Sequence, residues 1–269
     1  MASRQVSADP FSLAGDPLIE SVTAAVRTHM SRYDGSHDFA HIRRVVGLAR
    51  HLTRAFQEEQ AQSSSLVEDT KPVNERVVAL AALLHDVGDR KYLNASGDAG
   101  LSEADKQAIT DLLQDTPYAN DAGARATAAV LIRCSAGREL ARQVVLVCQN
   151  VSWTHENASA ESQAAVTELA ARMPELAIVQ DADRLDSIGG VGVARCIAYG
   201  ARPTSESPNG RSLDMSLAHF DVKLVLVKDH MKTTEGRRLA VERTERLRMF
   251  QAWWRDEAAF AVADREDLS

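Results

Sequence analysis

The stretch Val-Val-Ala-Leu-Ala-Ala-Leu-Leu-His-Asp-Val-Gly, residues 77–88, decides the fold that we predict for this chain. Its first eight residues are all apolar, which is typical of a helix that is buried on every side. The helix runs directly into His85 and Asp86, and Gly88 suits a turn or a helix end. A polar pair in such a place is costly unless it is hydrogen-bonded or holds a metal ion. For an isolated His-Asp pair, the alternative is a helix C-cap with a solvated aspartate.

The rest of the chain favours helices over strands. Asp16-Pro17 offers an N-cap followed by proline at the first helical position, and apolar residues recur at helical spacing behind it and again over 37–58. No segment shows the alternation of a half-buried strand. The sequence therefore predicts an all-α fold, a single helical bundle with additional C-terminal helices. Further helices are predicted at about 102–114, 120–134 and 137–151, from Pro174 onward, and as a pair within 216–257.

We expect one domain over 16–257, preceded by a flexible N-terminal tail over 1–15 and followed by a C-terminal tail over 258–269. The chain has 269 residues, which is ample for a buried core. Two polar stretches, 60–72 and 200–214, are rich in serine, proline, asparagine and glycine and predict loops.

Charge and cysteine content restrict the partners and the compartment. The chain carries 31 Lys+Arg against 38 Asp+Glu, a formal net charge of −7, which argues against an extended nucleic-acid surface. Its 3 cysteines are widely spaced and form no CxxC pair, so a reducing compartment is the simpler interpretation. No apolar run approaches the roughly 20 residues that cross a bilayer. We expect a cytoplasmic protein without a membrane partner.

Two further polar clusters accompany the His-Asp pair. Asp38, His41 and Arg44 are spaced three apart, so neighbouring members share one flank of a helix. Asp181 and Asp183 follow an apolar segment, where a carboxylate is costly unless it is paired or coordinated. Because they are two residues apart, these aspartates diverge on a helix and compete for one role.

The ordered pattern of His41, His85-Asp86 and Asp183 resembles the HD-domain metal-dependent phosphohydrolase superfamily. The flanking residues match as well: Asp-Phe-Ala-His-Ile-Arg-Arg-Val over 38–45, and Ala-Asp-Arg-Leu over 182–185. Three ordered blocks in an apolar context make this resemblance specific. Its extent is about 33–254, and blocks at 180–195, 219–224 and 231–236 are similar to a branch of small bacterial and fungal HD phosphohydrolases linked to nucleoside triphosphate pyrophosphohydrolysis.

The resemblance implies a metal site formed by His41, His85, Asp86 and Asp183, with Asp183 preferred over Asp181 as the fourth ligand. This mixed nitrogen and oxygen set suits one Mn²⁺, Fe²⁺, Co²⁺, Ni²⁺ or Zn²⁺ ion better than Mg²⁺. Such a metal lowers the pKa of bound water and polarises a phosphoryl oxygen. A second metal is not expected, because the superfamily members with two metals need further histidines between the second and third blocks, and this chain has one there.

The resemblance also suggests roles around the metal. Asp89 is a candidate to position or deprotonate water if the helix of His85 continues that far; an ordinary loop carboxylate is equally favoured. Arg44 and Lys91 are candidates to assist catalysis, since cationic side chains grip phosphate oxygens. Arg44 has the alternative of an ion pair that shapes the metal site, and Lys91 that of a solvated surface residue.

Arg184 and Lys223 are the candidates for binding the phosphates of a substrate, with a solvated surface role as the alternative for Lys223. We therefore predict a metal-dependent phosphohydrolase whose partner is a phosphorylated small molecule, most simply a nucleoside or deoxynucleoside triphosphate. The alternatives are a phosphatase that acts on a monophosphate and a non-catalytic metal- and nucleotide-binding protein. Alarmone hydrolases resemble His-Asp-x-x-Glu-Asp in the second block, and the departure here makes that activity less favoured.

Overall fold

The computed structural model describes residues 15–31, 38–63, 72–89, 101–203 and 207–260. Within these ranges the protein is all-α and has no strand, as the sequence predicts. The helices are α1 (Pro17–Met30), α2 (Phe39–Ser63), α3 (Glu75–Leu84), α4 (Glu103–Leu113), α5 (Ala122–Arg133), α6 (Arg138–Asn150), α7 (Trp153–Glu156), α8 (Ala160–Arg172), α9 (Pro174–Asp186), α10 (Gly189–Gly200), α11 (Leu213–Val222), a 3₁₀ helix (Leu224–His230) and α12 (Thr234–Ala258).

Helix α3 is the central element of the core. All eight residues from Val77 to Leu84 are buried, which confirms the prediction of a helix covered on every side. It packs against α1, α2 and α6. Each fully buried Leu or Val side chain contributes about 1.5–3 kcal/mol of transfer free energy, so α3 is fixed firmly in the core. The residues that follow α3 are therefore held on a rigid support.

The chain divides into two compact units. The first unit comprises Met1–Asp183 together with Lys232–Gly236, and the second comprises Arg184–Met231 together with Arg237–Ser269. A short segment from late in the sequence thus belongs to the first unit. The single domain over 16–257 stays a prediction.

Some helix limits differ from the predicted ones. Helix α2 continues to Ser63, into the stretch predicted as a loop from residue 60. Helix α8 was not predicted, and Val166 and Ala170 are its buried residues. Residues 1–14 and 261–269, which belong to the predicted tails over 1–15 and 258–269, lie outside the described residues, as do residues 64–71 and 204–206 of the two predicted loops.

Among the described residues, none of the helices combines the length and the apolar character required to span a bilayer.

Candidate metal centre

His41 is positioned by the start of α2. Asp38 precedes the helix, and its Oδ1 accepts a hydrogen bond from the backbone N–H of His41 at 3.0 Å. The sequence suggested Asp38 and His41 as neighbours on a helix flank; the structure shows that Asp38 caps the helix instead. This cap fixes His41 in the first turn, where its side chain is only 1% exposed.

Replacing Asp38 with alanine is expected to lower the free energy of unfolding by about 1 kcal/mol, because α2 loses the side-chain acceptor at its N-terminus. Asp38→Ser keeps a capping oxygen and should stay within a few tenths of a kcal/mol of wild type. Urea unfolding of the metal-free protein, followed by circular dichroism, measures both. Equal stability of the alanine and serine variants would contradict the cap.

His85 and Asp86 lie in the turn that follows α3. The helix ends at Leu84, and His85 is its C-cap. The Nδ1 atom of His85 lies 3.0 Å from the carbonyl oxygen of Ala82. A carbonyl oxygen only accepts, so Nδ1 carries a proton and, in the neutral imidazole, the lone pair is on Nε2. This hydrogen bond also fixes the orientation of the ring, as is usual for histidines that bind metals.

The turn after His85 is packed against the start of α5 through two glycines. A Cβ atom added to Gly88 would lie 2.7 Å from the carbonyl oxygen of Gly123, and one added to Gly123 would lie 2.5 Å from that of Gly88. Neither position has room for a side chain, since the two backbones are in direct contact. The turn that carries His85 and Asp86 is therefore held from both ends, by α3 and by α5.

Helix α9 carries both competing aspartates, and the structure separates them. The Oδ1 atom of Asp183 lies 3.6 Å from Nε2 of His41 and 3.6 Å from Nε2 of His85. Asp181 is fully buried, and its carboxylate accepts hydrogen bonds from the backbone N–H groups of Lys232 and Thr233 and from the Thr233 hydroxyl. Asp183 thus lies beside His41 and His85, whereas Asp181 is hydrogen-bonded to the segment at 232–233.

The four residues His41, His85, Asp86 and Asp183, called here the His/Asp cluster, converge on one point. The two Nε2 atoms are 3.2 Å apart, Oδ2 of Asp86 is 3.3 Å from the His41 nitrogen, and Oδ1 of Asp86 is 3.5 Å from the His85 nitrogen. Two atoms bound at right angles to one ion, each roughly 2.1 Å from it, are about 3 Å apart. The donor types and the spacing of His41, His85 and Asp86 therefore fit a divalent metal ion, and Oδ1 of Asp183 lies 3.6 Å from both histidine nitrogens.

The electrostatics of the cluster favour a positive charge at its centre. Burial works to lower the pKa of His85, but the carboxylates of Asp86 and Asp183 outweigh burial and raise this pKa to about 9. Burial works to raise the pKa of Asp183, but the hydrogen bond and the positive charge of His85 outweigh it and lower that pKa. The metal-free protein thus keeps a protonated imidazole between two carboxylates, in the place that a cation would take.

The other candidates in the first unit are Asp89, Arg44 and Lys91. Asp89 follows the turn rather than a continued helix, since α3 ends at Leu84 and the Asp89 N–H donates to the Asp86 carbonyl oxygen at 3.2 Å. Asp89 therefore does not share a helix face with His85, as it would if α3 continued through both residues. Arg44 lies half-buried on α2, three residues after His41. Lys91 lies outside the described residues.

Arg184 and Lys223 belong to the second unit. Arg184 is 3% exposed, and its Nη1 donates a hydrogen bond to the His230 carbonyl oxygen at 2.9 Å. Part of its guanidinium group is thus engaged with the backbone. Lys223 is half-buried directly after α11. A role for either residue in binding phosphate stays a prediction.

The sequence analysis did not predict a buried polar network that lies beside α9. Gln180 donates to the Asn150 carbonyl oxygen at 2.7 Å and to the Glu156 carboxylate at 3.1 Å, and Lys232 donates to the other Glu156 oxygen at 2.7 Å. Gln180 and Lys232 lie in the blocks at 180–195 and 231–236 that resemble the HD phosphohydrolases. That resemblance was the sequence feature that could have pointed to these residues. With Asp181, this network holds the helix that carries Asp183.

An all-α fold with this cluster defines an HD-domain protein. The HD domain family model matches residues 38–188, more than half of the chain, and the chain belongs to this family, as its motifs predict. A relative among curated proteins is the uncharacterized protein YpgQ of Bacillus subtilis (strain 168), 26% identical over 225 residues that cover 83% of this chain and 85% of YpgQ.

Solved structures agree with this assignment. An HD-superfamily hydrolase of Bacillus thuringiensis is 25% identical, with a TM-score of 0.53 and coverage of 90% of this chain and 97% of the other. The crystal structure of Bacillus subtilis YpgQ in complex with ADP is 24% identical, with a TM-score of 0.52 and the same coverage. A Lactobacillus plantarum protein is 19% identical, covers 91% of this chain and 98% of its own, and has a TM-score of 0.56. The chain is thus related to HD-superfamily hydrolases.

Proposed function

We propose that the His/Asp cluster binds one divalent transition metal ion and that the protein hydrolyses a nucleoside or deoxynucleoside triphosphate. The observation that carries the proposal is that each of two imidazole nitrogens lies 3.2–3.6 Å from the other and from both carboxylates, with the four side chains supplied by α2, the turn after α3 and α9. The nucleotide substrate is supported by the relative YpgQ, which was crystallised with ADP.

The side chains of the cluster have distinct tasks in this proposal. His41 and His85 supply nitrogen donors, and the hydrogen bond to Ala82 keeps the His85 ring in place. Asp86 and Asp183 supply oxygen donors and two negative charges, which balance a divalent cation. When bound, the ion supplies Lewis acidity toward a phosphoryl oxygen and acidifies water. The set of nitrogen and oxygen donors favours Mn²⁺, Fe²⁺, Co²⁺, Ni²⁺ or Zn²⁺ over Mg²⁺.

Around the cluster, Asp89 is proposed to take the proton of the attacking water, and Arg44 and Lys91 to neutralise charge on the transferred phosphoryl group. Asp89 and Arg44 lie in the first unit close in sequence to the cluster, at Asp86 and His41 respectively. Arg184 and Lys223 are proposed to bind the remaining phosphates. Arginine and lysine both suit phosphate, arginine through its planar fork and lysine through its point charge.

The test is a screen of purified protein against divalent metals and nucleoside mono-, di- and triphosphates, with product identification. We expect pyrophosphate and a nucleoside monophosphate from triphosphates with Mn²⁺ or Co²⁺, and much less turnover with Mg²⁺. Release of orthophosphate from monophosphates alone would replace the proposal with a phosphatase activity. Metal and nucleotide binding without turnover of any compound would replace it with a non-catalytic role.

A further inference from the structure

We propose that a cavity lined by α2, α8, α9 and the segment at 232–233 binds a small organic anion with an aromatic body and one carboxylate. This cavity, called here the α8/α9 cavity, has a volume of about 630 Å³, within the range of about 300–1,000 Å³ that is usual for small-molecule sites. All the residues that line it belong to the first unit. The proposal goes beyond the proposed function and does not depend on it.

The α8/α9 cavity is separate from the His/Asp cluster, since none of the four cluster residues lines it. On α2, the lining residue Phe56 comes fifteen residues after His41, which is about 22 Å along a helix that rises about 1.5 Å per residue. On α9, the lining residue Ala177 comes six residues before Asp183, about 9 Å along the axis. We therefore expect a ligand to bind in the cavity without metal.

The floor of the cavity is apolar. Ala170 of α8 and Ala177 of α9 line it and are 8% and 7% exposed. Thr233 is 4% exposed, and its hydroxyl is engaged: it donates to Asp181 at 2.8 Å and accepts from the backbone N–H of Gly236 at 3.0 Å. Water at such a floor has few hydrogen-bonding partners, so an apolar group that displaces it binds favourably.

Two ring side chains favour an aromatic body for the ligand. Phe56 of α2 and Pro174, the first residue of α9, are half-buried and line the cavity. Aromatic rings gain from contact with another ring beyond the area that they bury. A rigid ring system also loses less conformational freedom on binding than a flexible chain of similar area.

The charge of the lining favours an anion. None of the described residues that line the cavity is Asp or Glu, whereas Arg172 and Lys232 both line it. The ammonium group of Lys232 donates to the buried carboxylate of Glu156 at 2.7 Å, so its charge is balanced within the protein. Arg172 therefore supplies the positive charge that a ligand would meet.

Arg172 is placed at the rim of the cavity, where it is able to exchange partners. Its side chain is 69% exposed, and it forms an ion pair at 3.7 Å with Glu168, which is 71% exposed. Exposed pairs of this kind contribute little to stability, so a ligand carboxylate competes with Glu168 on favourable terms. The planar guanidinium group suits a carboxylate. One such cation matches one carboxylate, whereas a polyphosphate would bring more negative charge than the lining balances.

The test is calorimetric titration of the whole protein, in EDTA and at low salt, with 1-naphthaleneacetate and with 1-naphthaleneacetamide, which has the same rings and no charge. Arg172→Met removes the cation, and Ala171→Leu fills the cavity from an exposed lining position of α8. Ala165→Leu is the control for the second change, because Ala165 is exposed on the same helix and does not line the cavity. Arg248→Met is the control for the first, since Arg248 is exposed and paired with Glu245 at 2.9 Å.

We expect wild type and both controls to bind 1-naphthaleneacetate alike. Arg172→Met should bind it about fivefold more weakly, and wild type should bind the amide more weakly by a similar factor. Ala171→Leu should bind at least about tenfold more weakly, because the added side chain occupies the space of the ligand. Circular dichroism and thermal melting establish that each variant is folded.

No binding by wild type, or equal affinity of wild type and Ala171→Leu, would overturn the site. Equal affinity for the acetate and the amide, or an affinity that Arg172→Met leaves unchanged, would overturn the anionic ligand. If Ala171→Leu does not fold, the comparison of the two compounds and Arg172→Met decide. Metal and nucleotide are absent from this experiment, so its failure and the failure of the proposed function are independent.

Discussion

Replacing Asp86 with alanine is expected to remove the bound metal and to reduce nucleotide turnover at least about a hundredfold. Its carboxylate lies 3.3 Å from Nε2 of His41 and 3.5 Å from Nε2 of His85, and its side chain is 17% exposed. The loss takes away one of four donors and one of two negative charges. Metal chemistry of this kind contributes several kcal/mol to the transition state, and each 1.4 kcal/mol is a factor of ten in rate.

Elemental analysis of the purified protein and a steady-state assay at saturating metal measure the two effects. Asp86→Asn has nearly the same shape, so it tests charge rather than volume and should resemble the alanine variant. Asp115→Ala is the matched control, because Asp115 is 72% exposed and forms only a long ion pair, at 3.9 Å, with Arg142. If Asp86→Ala retains the metal and full turnover, Asp86 is not a metal ligand and the proposed mechanism is wrong.

Replacing Asp181 with alanine is expected to lower the free energy of unfolding by about 2–5 kcal/mol. The change leaves the backbone N–H groups of Lys232 and Thr233 without their acceptor in a buried place, and each such loss costs about 1–3 kcal/mol. Metal affinity should fall as well, because Asp181 holds the helix that carries Asp183 two residues later.

Urea unfolding of the metal-free protein and metal titration of the folded protein separate the two effects. Asp181→Asn keeps one acceptor oxygen and should lie between wild type and Asp181→Ala in stability. Asp115→Ala should stay within about 0.5 kcal/mol of wild type, as exposed substitutions do. If Asp181→Ala is as stable as Asp115→Ala, the contacts of Asp181 do not hold the segment at 232–233.

The elements that could be predicted from sequence are those whose signal is local. Helix α3 was predicted because eight consecutive apolar residues, rich in alanine and leucine, are typical of a buried helix. Asp16 was predicted as an N-cap, which its contacts with the N–H groups of Leu18 and Ile19 confirm. The convergence of His41 with His85 could not be derived from spacing, since 44 residues separate them. It was expected because an ordered motif resembled a family.

The choice between Asp181 and Asp183 shows where sequence reasoning ends. Spacing indicated only that the two carboxylates diverge, and the resemblance favoured Asp183. The structure gives Asp181 a different role, since it buries this carboxylate completely against residues about 50 positions later. A long-range hydrogen bond to backbone groups leaves no pattern in a single sequence, because any residue type supplies the N–H groups.

The position of Lys232–Gly236 late in the sequence affects how α9 is stabilised during synthesis and which truncated fragments of the protein keep that stabilisation. The family match ends at residue 188, yet the carboxylate of Asp181 accepts hydrogen bonds from Lys232 and Thr233. A nascent chain that has emerged only as far as α9 therefore still lacks these donors, which lie more than forty residues further on. A fragment cut at the end of the family match would retain every residue of the His/Asp cluster and the bonds of Gln180, and it would lack the bonds between Asp181 and the segment at 232–233.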